Sequence, residues 1–288
     1  MALSSLAQRV ATAAVLVPLV LAALFLLPPK GWALLSLAIV VLAAHEYSRL
    51  AGYGGTGEGL LVAAVIVSAA ALLFVPAFGF GRGWPDAVVR VACGTAAAFW
   101  IVVAPAWLAA GWPGAKRAAT GAVGAIVLVG AWVALVELQA RSPWLVLAAM
   151  AVVWIADTAA YFAGRRFGRR KLAPMISPGK TWEGVYGALA AVSLYALALA
   201  PIAPRAGFEG ATGPGTTLAF VAFAMLLAAI SVVGDLLESL LKRQAGAKDS
   251  GTLLPGHGGV LDRIDALIAA MPLAALAATF WLAKAGGT

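Results

Sequence analysis

Four polar side chains interrupt an apolar stretch of the sequence near residue 235. Asp235, Glu238, Ser239 and Lys242 are spaced three or four residues apart, so in a helix they would share one face. A carboxylate near the bilayer core costs about 2.5–3.5 kcal/mol on insertion scales, and it should therefore face a cavity or a partner. An ion pair between Glu238 and Lys242 at the membrane boundary would explain those two residues. It would leave Asp235, one turn deeper, without an explanation.

The segment 248–265 combines acidic, basic and glycine residues in a pattern that suits a phosphate and a divalent cation. Glycines let backbone N–H groups approach an anion closely, and Mg²⁺ usually takes one or two carboxylates while phosphates complete its shell. Cationic side chains neutralise phosphate charge. The residues concerned are Asp249, Asp262, Asp265, Lys248, His257, Arg263, Gly251, Gly256, Gly258 and Gly259. A glycine-rich turn with Asp262 as a helix cap is the alternative, but it would account for Asp262 alone.

Two polar segments precede these in the chain. Asp157 lies inside a predicted helix with Tyr161 one turn on, and an intramembrane aspartate is either a functional residue or the partner in an interhelical hydrogen bond. Ser177, Lys180 and Thr181 flank a Pro-Gly turn at the start of the next helix, where backbone N–H groups suit a phosphate. A P-loop is excluded here, because its first glycine is missing and no strand is predicted before it.

The N-terminal half offers few candidates. Glu46, beside His45 and Tyr47 at a helix end, could cap a helix or line the site, and the structural interpretation is favoured. The same interpretation is favoured for Glu137.

The composition indicates that the bilayer is the solvent for most of the chain. Of its 288 residues, 63% are hydrophobic and 11% are charged, whereas soluble domains are about 45–50% apolar and 25% charged. One cysteine and two histidines exclude a disulfide framework, a cysteine-based zinc site and a histidine-rich metal cage.

The hydrophobic pattern predicts an all-α, polytopic membrane protein of about nine transmembrane helices, since each span needs about 20 apolar residues. The region 79–113, which includes the fourth span, could hold one kinked helix or two short segments. The predicted spans are 10–28, 31–48, 59–78, 87–110, 120–138, 143–163, 184–203, 215–241 and 265–284.

The basic residues predict a cytoplasmic N-terminus. With that orientation, 14 of the 20 Lys and Arg residues lie on the cytoplasmic side, in agreement with the positive-inside rule. The polar loops 164–183 and 242–264 would then face the cytoplasm, and the basic run at 165–171 is interpreted mainly as an orientation signal or a contact with lipid head groups. Residues 1–140 are predicted to form a scaffold with dimer or lipid contacts, and residues 141–288 a catalytic region. The polar residues of interest are concentrated in 150–265, whereas 1–140 is almost entirely apolar. This uneven distribution and the lack of an inverted repeat disfavour a transporter.

Three segments in the C-terminal half resemble the hallmark pattern of phosphatidate cytidylyltransferases, also called CDP-diacylglycerol synthases. They are 239–243 (SLLKR), 248–249 (KD) and 254–265 (LPGHGGVLDRID). The segment 177–184 and the helix with Asp157 and Tyr161 are similar to further elements of that family, so the resemblance covers roughly 150–270. In the N-terminal half, Glu46-Tyr47 is similar to a Glu-Trp pair of the family.

The resemblance implies that CTP and phosphatidate react to give CDP-diacylglycerol and pyrophosphate, with Mg²⁺ required and K⁺ as a candidate second cation. It also implies a multi-pass, homodimeric enzyme of the inner (plasma) membrane, in contact with membrane lipids, with its active site facing the cytoplasm and with no nucleic-acid partner. The alternatives are a lipid kinase, a cytidylyltransferase for another lipid phosphate, and a cation-coupled transporter.

Residue roles follow from the resemblance together with the chemistry above. The expected metal ligands are Asp235, Asp262 and Asp249, and the expected phosphate-neutralising residues are Lys242, Arg243, Lys248, His257 and Arg263. The expected substrate-binding residues are Ser177, Lys180, Thr181, Ser239, Gly258, Gly259, Asp157 and Tyr161.

Overall fold

The computed structural model describes residues 5–111, 117–202, 214–253 and 258–281. Over these residues the chain is a helical bundle with one small hairpin of two strands. The helices are α1 (Ser5–Leu26), α2 (Pro29–Leu50), α3 (Thr56–Phe74), α4 (Asp86–Ala98), α5 (Ala104–Ala110), α6 (Arg117–Arg141), α7 (Pro143–Phe167), α8 (Trp182–Leu199), α9 (Pro214–Gln244) and α10 (Leu261–Trp281). The strands are β1 (Lys171–Ala173) and β2 (Ser177–Thr181).

The helical membrane fold predicted from the sequence is confirmed. In the described part of the chain, eight helical segments are long and apolar enough to cross a membrane, counting α4 and α5 as one segment. Helix α1 covers residues 10–26 of the first predicted span. The total of nine spans and the cytoplasmic N-terminus remain predictions.

The region around Pro105 forms one continuous span. Between α4 and α5 the helix widens into a π-helical turn, Phe99–Val103, so Asp86–Ala110 runs unbroken over 25 residues. Pro105 has no N–H to donate to the preceding turn, and a widened turn just before it accommodates that missing bond. Of the two possibilities left by the sequence, the structure has the single distorted helix.

Both polar loops are shorter than predicted. Within 164–183, α7 continues to Phe167 and an antiparallel hairpin follows, in which Lys171 pairs with Thr181. Within 242–264, α9 continues to Gln244 and α10 already begins at Leu261. The predicted start of the last helix at 265 was late because the acidic first turn resembles a loop in composition, although an acidic residue there favours the helix N-terminus.

Helices α6 and α10 are the most buried of the eight spans. Helix α10 packs against α2, α4, α6, α7 and α9, so the sequence regions on either side of residue 140 share one core. Glu137 in α6 lies at the end of the bundle where α10 ends, with its carboxylate 2.9 Å from the Arg141 guanidinium, and it also accepts the backbone N–H of Trp84. The structural interpretation of Glu137 agrees with this geometry.

Candidate active site

The polar residues of the C-terminal half meet at one end of the bundle, where α7 and α9 end and α8 and α10 begin. The hairpin between α7 and α8 carries Lys180, whose Nζ lies 2.6 Å from the Asp235 carboxylate of α9. Ser239 donates a hydrogen bond of 3.3 Å to the same carboxylate. Asp157 of α7 lies within electrostatic reach of both Asp235 and Lys180. Three separate elements thus bring opposite charges to one place.

Three carboxylates form a cluster that fits a divalent cation. One oxygen each from Asp235, Glu238 and Asp265 lies within 4.8 Å of the other two, and like charges this close repel each other unless a cation or proton lies between them. An all-oxygen donor set of this kind is the one that Mg²⁺ prefers. Of the expected metal ligands, only Asp235 belongs to this cluster. Glu238 and Asp265 were noted in the sequence but were not assigned to metal. Glu238 follows Asp235 by three residues and Asp265 follows Asp262 by three, and this helical spacing was the available signal.

Lys242 joins α9 to α10 through two ion pairs. Its Nζ lies 2.5 Å from Glu238 and 2.7 Å from Asp262, and all three side chains are at most 12% exposed. The Glu238–Lys242 pair considered from the sequence is therefore present. Because the pair to Asp262 connects the end of one helix to the first turn of the next, Lys242 also fixes the relative position of their acidic residues.

Asp262 organises the segment that precedes α10. Its Oδ2 accepts the backbone N–H groups of Ser250 and Gly259 at 2.8 and 2.9 Å, together with the Ser250 hydroxyl at 2.9 Å. Gly258 has a φ of +83°, and a Cβ there would lie 2.7 Å from Asp262 Oδ2, so only glycine suits this position. Asp262 is thus engaged by protein donors, and its assignment to metal stays a prediction.

The remaining basic and acidic candidates lie on the surface around this cluster. Arg243, Lys248, Asp249 and Arg263 are exposed, and Arg243 Nε donates to the carbonyl of Ile176 in the hairpin at 3.3 Å. Exposure suits residues that would meet the phosphates of a soluble nucleotide. His257 lies outside the described residues.

The hairpin is fastened to α8 by a helix cap and a carboxylate. The Thr181 hydroxyl accepts the N–H of Gly184 at 3.1 Å, and this side chain is buried. This geometry assigns Thr181 to the N-cap of α8, and direct contact with substrate stays a prediction for Thr181 and for Ser177. Glu183 accepts the backbone N–H groups of Arg169 and Arg170. The side-chain hydrogen bond from Arg170 to Glu183 raises the pKa of the Arg170 guanidinium.

Tyr161 and Asp157 occupy the exposed face of α7. The Tyr161 hydroxyl accepts a hydrogen bond of 2.8 Å from Arg165 one turn later. Of the two, Asp157 is the one near the acidic cluster.

Glu46 reaches the site from the N-terminal half. Its carboxylate accepts hydrogen bonds from Ser250, Val260 and Leu261. From the sequence, Glu46 could either cap a helix or line the site. The sequence gave no reason to expect Ser250 as its partner. The available signals were an acidic residue at the end of a predicted helix and the resemblance of Glu46-Tyr47 to a Glu-Trp pair. Neither signal identifies its partners, which lie more than 200 residues away.

Known proteins resemble this chain over most of its length. The model of the cytidylyltransferase family matches residues 7–281. A phosphatidate cytidylyltransferase of Pseudomonas aeruginosa is 42% identical over 286 residues, which cover 98% of this chain and 99% of that protein. The enzyme of the same name from Haemophilus influenzae is 51% identical over 129 residues, 45% of this chain and 43% of its own. That of Bacillus subtilis is 43% identical over 124 residues, 43% of each chain.

Proposed function

Because this chain belongs to the cytidylyltransferase family, we propose that it transfers CMP from CTP to phosphatidate, which yields CDP-diacylglycerol and pyrophosphate. The observation that carries the proposal is the meeting of Lys180, Asp235 and Lys242 with further carboxylates at one end of a membrane bundle. A site at that depth can receive a lipid phosphate from the bilayer and a nucleotide from water.

The reaction needs positioning and charge neutralisation more than it needs a strong base. A phosphate oxygen of phosphatidate attacks the α-phosphorus of CTP, the bond from that phosphorus to the oxygen bridging to the β-phosphorus breaks, and pyrophosphate leaves with the bonding electrons. A phosphate monoester is already nucleophilic near neutral pH. The main obstacle is repulsion between two anions, which fixed cations reduce.

The chain offers cations at two depths for this purpose. Lys180 and Lys242 are largely buried among carboxylates, where a charge acts strongly because little water screens it. Arg243, Lys248 and Arg263 are exposed, and we assign them, with His257, to the triphosphate or the phosphatidate charge. Ser177, Ser239 and Asp157 would complete the polar surroundings of these groups.

We further propose that the site holds Mg²⁺, with K⁺ as a candidate second cation. Asp235, Glu238 and Asp265 offer the closest set of oxygens, and Asp262 is linked to Glu238 through Lys242. When bound, Mg²⁺ would supply positive charge to the phosphate oxygens. The protein's own part is to hold those carboxylates together. The last turns of α9 and the first turns of α10 do this.

The remaining parts of the proposal concern the cell and the assembly. We propose that the protein lies in the inner (plasma) membrane with its site on the cytoplasmic side, because CTP is found there. The predicted orientation, which places most basic residues on that side, is consistent with this proposal. A homodimer in contact with membrane lipids is part of the same proposal.

The test measures radiolabelled CTP incorporated into chloroform-soluble lipid by the purified protein in detergent. Label that requires both phosphatidate and Mg²⁺ supports the proposal, and Asp262→Asn should abolish it. Asp86→Asn is the matched control, because Asp86 lies at the other end of the bundle, beside Arg141. Label that appears only with another lipid phosphate would redirect the assignment to a related cytidylyltransferase. Transfer of a phosphate group alone to the lipid, without the cytidine moiety, would indicate a lipid kinase. If nothing is transferred, transport assays in vesicles would follow.

A further inference from the structure

We infer that Glu46 of α2 is a positioning residue of this site, which fixes the first turn of α10 and the segment before it from the N-terminal half of the bundle. Only the predicted effect of Glu46 on turnover rests on the proposed function. The contact itself can be measured without any reaction.

The Glu46 carboxylate caps α10 from another helix. It accepts the backbone N–H groups of Val260 at 3.0 Å and Leu261 at 2.7 Å, and Glu46 is 5% exposed. The first N–H groups of a helix have no partner within that helix, and a carboxylate beside them also gains from the helix dipole. Helix α10 therefore starts where Glu46 holds it.

Ser250 connects Glu46 to Asp262. The Ser250 Oγ lies 2.9 Å from Glu46 Oε2 and 2.9 Å from Asp262 Oδ2, and it accepts the N–H of Asp262 at 3.2 Å. A hydroxyl carries one proton, so at any moment it donates to one of the two carboxylates. The two acids thus share one hydroxyl group, and Asp262 in turn pairs with Lys242.

Two glycines make room for the Glu46 carboxylate. A Cβ at Gly259 would overlap the Ser250 hydroxyl and both Glu46 oxygens, and a Cβ at Gly251 would overlap Glu46 Oε1. The glycine pattern predicted that the backbone approaches an anion closely. At Gly251 and Gly259 the anion is the carboxylate of Glu46. Contact between Gly259 and a substrate phosphate stays a prediction.

The chemistry of the contact favours a positioning role over simple packing. A buried carboxylate costs several kcal/mol of desolvation, whereas an apolar contact between α2 and α10 would hold the helices without that cost. The hydrogen bonds recorded for Glu46 in the described part of the chain come from a hydroxyl and two backbone N–H groups. Such bonds fix the direction of the backbone that carries Asp262 and Asp265.

The experiment compares Glu46→Gln with Glu58→Gln in the intact detergent-solubilised protein. Glu58 lies in α3 and pairs with His45 beside Glu46 in the sequence, so its variant is a matched change outside the site. Amide hydrogen exchange by mass spectrometry reports on residues 258–262, and cytidylyl transfer at varied Mg²⁺ reports on the site. We expect faster exchange at 258–262 in Glu46→Gln only, because one of the two carboxylate oxygens becomes an NH2 group. That group donates and cannot accept, so Val260 or Leu261 loses the acceptor of its backbone N–H. We also expect the Mg²⁺ concentration for half-maximal activity to rise roughly 10–100-fold.

The two readouts separate the possible failures. Unchanged exchange at 258–262 in Glu46→Gln overturns the inference, whether or not the protein is active. A wild type that makes no labelled lipid overturns the proposed function and leaves exchange to decide on Glu46. An unchanged Mg²⁺ requirement together with reduced folded protein would mean that Glu46 only stabilises the fold, and this also overturns the inference.

A second variant covers the case in which Glu46→Gln unfolds throughout. Ser250→Ala removes the hydroxyl between Glu46 and Asp262 and leaves both carboxylates in place. Faster exchange confined to the same residues supports the inference, and exchange equal to that of the wild type refutes the link from Glu46 through Ser250 to Asp262.

Discussion

The Lys180 ammonium group lies 2.6 Å from the Asp235 carboxylate, which joins the hairpin after α7 to the polar face of α9. This contact places a cation beside a cluster of three carboxylates. The hairpin also contacts α9 through a hydrogen bond of 3.3 Å from Arg243 to the carbonyl of Ile176. The Lys180–Asp235 pair is therefore the link through which the hairpin takes part in the site.

Lys180→Met tests that link. Removing the ammonium group takes away a largely buried positive charge that would face both Asp235 and the substrate phosphates, so we expect kcat to fall about 100-fold or more. The measurement is transfer of labelled CMP to phosphatidate at saturating substrate. Lys171→Met is the control, since Lys171 is an exposed residue on the other strand of the hairpin. Equal losses in both variants would mean that net charge at the surface matters and that the specific pair does not.

Asp265→Asn tests the composition of the metal site. If Asp235, Glu238 and Asp265 hold the cation, we expect the Mg²⁺ concentration for half-maximal activity to rise roughly 10–100-fold, and Mn²⁺ binding measured by electron paramagnetic resonance to weaken alongside it. Asp249→Asn should change neither value by more than about threefold, because Asp249 is exposed. The reverse result, with Asp249 sensitive and Asp265 insensitive, would favour the ligand set of Asp235, Asp262 and Asp249.

The sequence predicted the helices well because a bilayer demands long apolar segments, and every predicted span overlaps a helix in the structure. It missed the hairpin because strands of three and five residues, one of them containing Pro178 and Gly179, show no alternating pattern. Acidic residues at helix ends, such as Asp262, were read as loop, which shortened the predicted α10.

The candidate site was predictable where its residues lie close in the chain. Asp235, Ser239 and Lys242 repeat at helical spacing, and that spacing indicated one face. Pairs formed across the fold, such as Glu46 with Ser250, leave no trace in local spacing. Nothing in the sequence fixes how α2 meets α10, so this part of the site required the structure.

Lys242→Met should destabilise the protein by about 3–5 kcal/mol, because it leaves two nearly buried carboxylates without their cation. Glu238 and Asp262 are the carboxylates concerned. Thermal unfolding in detergent measures the effect, and Lys30→Met, at an exposed position, is the control. We expect Mg²⁺ to raise the unfolding temperature more in Lys242→Met than in the wild type, since a bound cation stabilises the folded state and offsets part of the lost charge. A variant as stable as the wild type without Mg²⁺ would contradict this account.

Arg141→Met tests whether stability and catalysis can be separated. Arg141 is 5% exposed and pairs with Glu137 and Asp86, and it donates to the Ala278 carbonyl near the end of α10. Ala278 lies about 24 Å along the helix axis from Asp262, at 1.5 Å per residue. We expect a loss of about 3–5 kcal/mol in stability with activity per folded molecule unchanged.

The control for Arg141→Met is Arg90→Met, at an exposed position in α4, which should change neither stability nor activity. Unfolding in detergent and active-site-normalised turnover are the two measurements. A large fall in turnover of folded Arg141→Met would show that the two ends of the bundle are coupled.

Cysteine labelling tests the orientation on which access to CTP depends. The single native cysteine, Cys93, is buried, so the wild type should not react with a membrane-impermeant maleimide. Met175 in the hairpin is 90% exposed, and Arg82, between α3 and α4, is exposed as well. With the active site in the cytoplasm, Met175→Cys should react only after the membrane is opened, whereas Arg82→Cys should react in intact cells. The opposite pattern would put the hairpin and its Lys180–Asp235 pair outside the cell, where the basic bias of the loops and a reaction that uses CTP would both be left without an explanation.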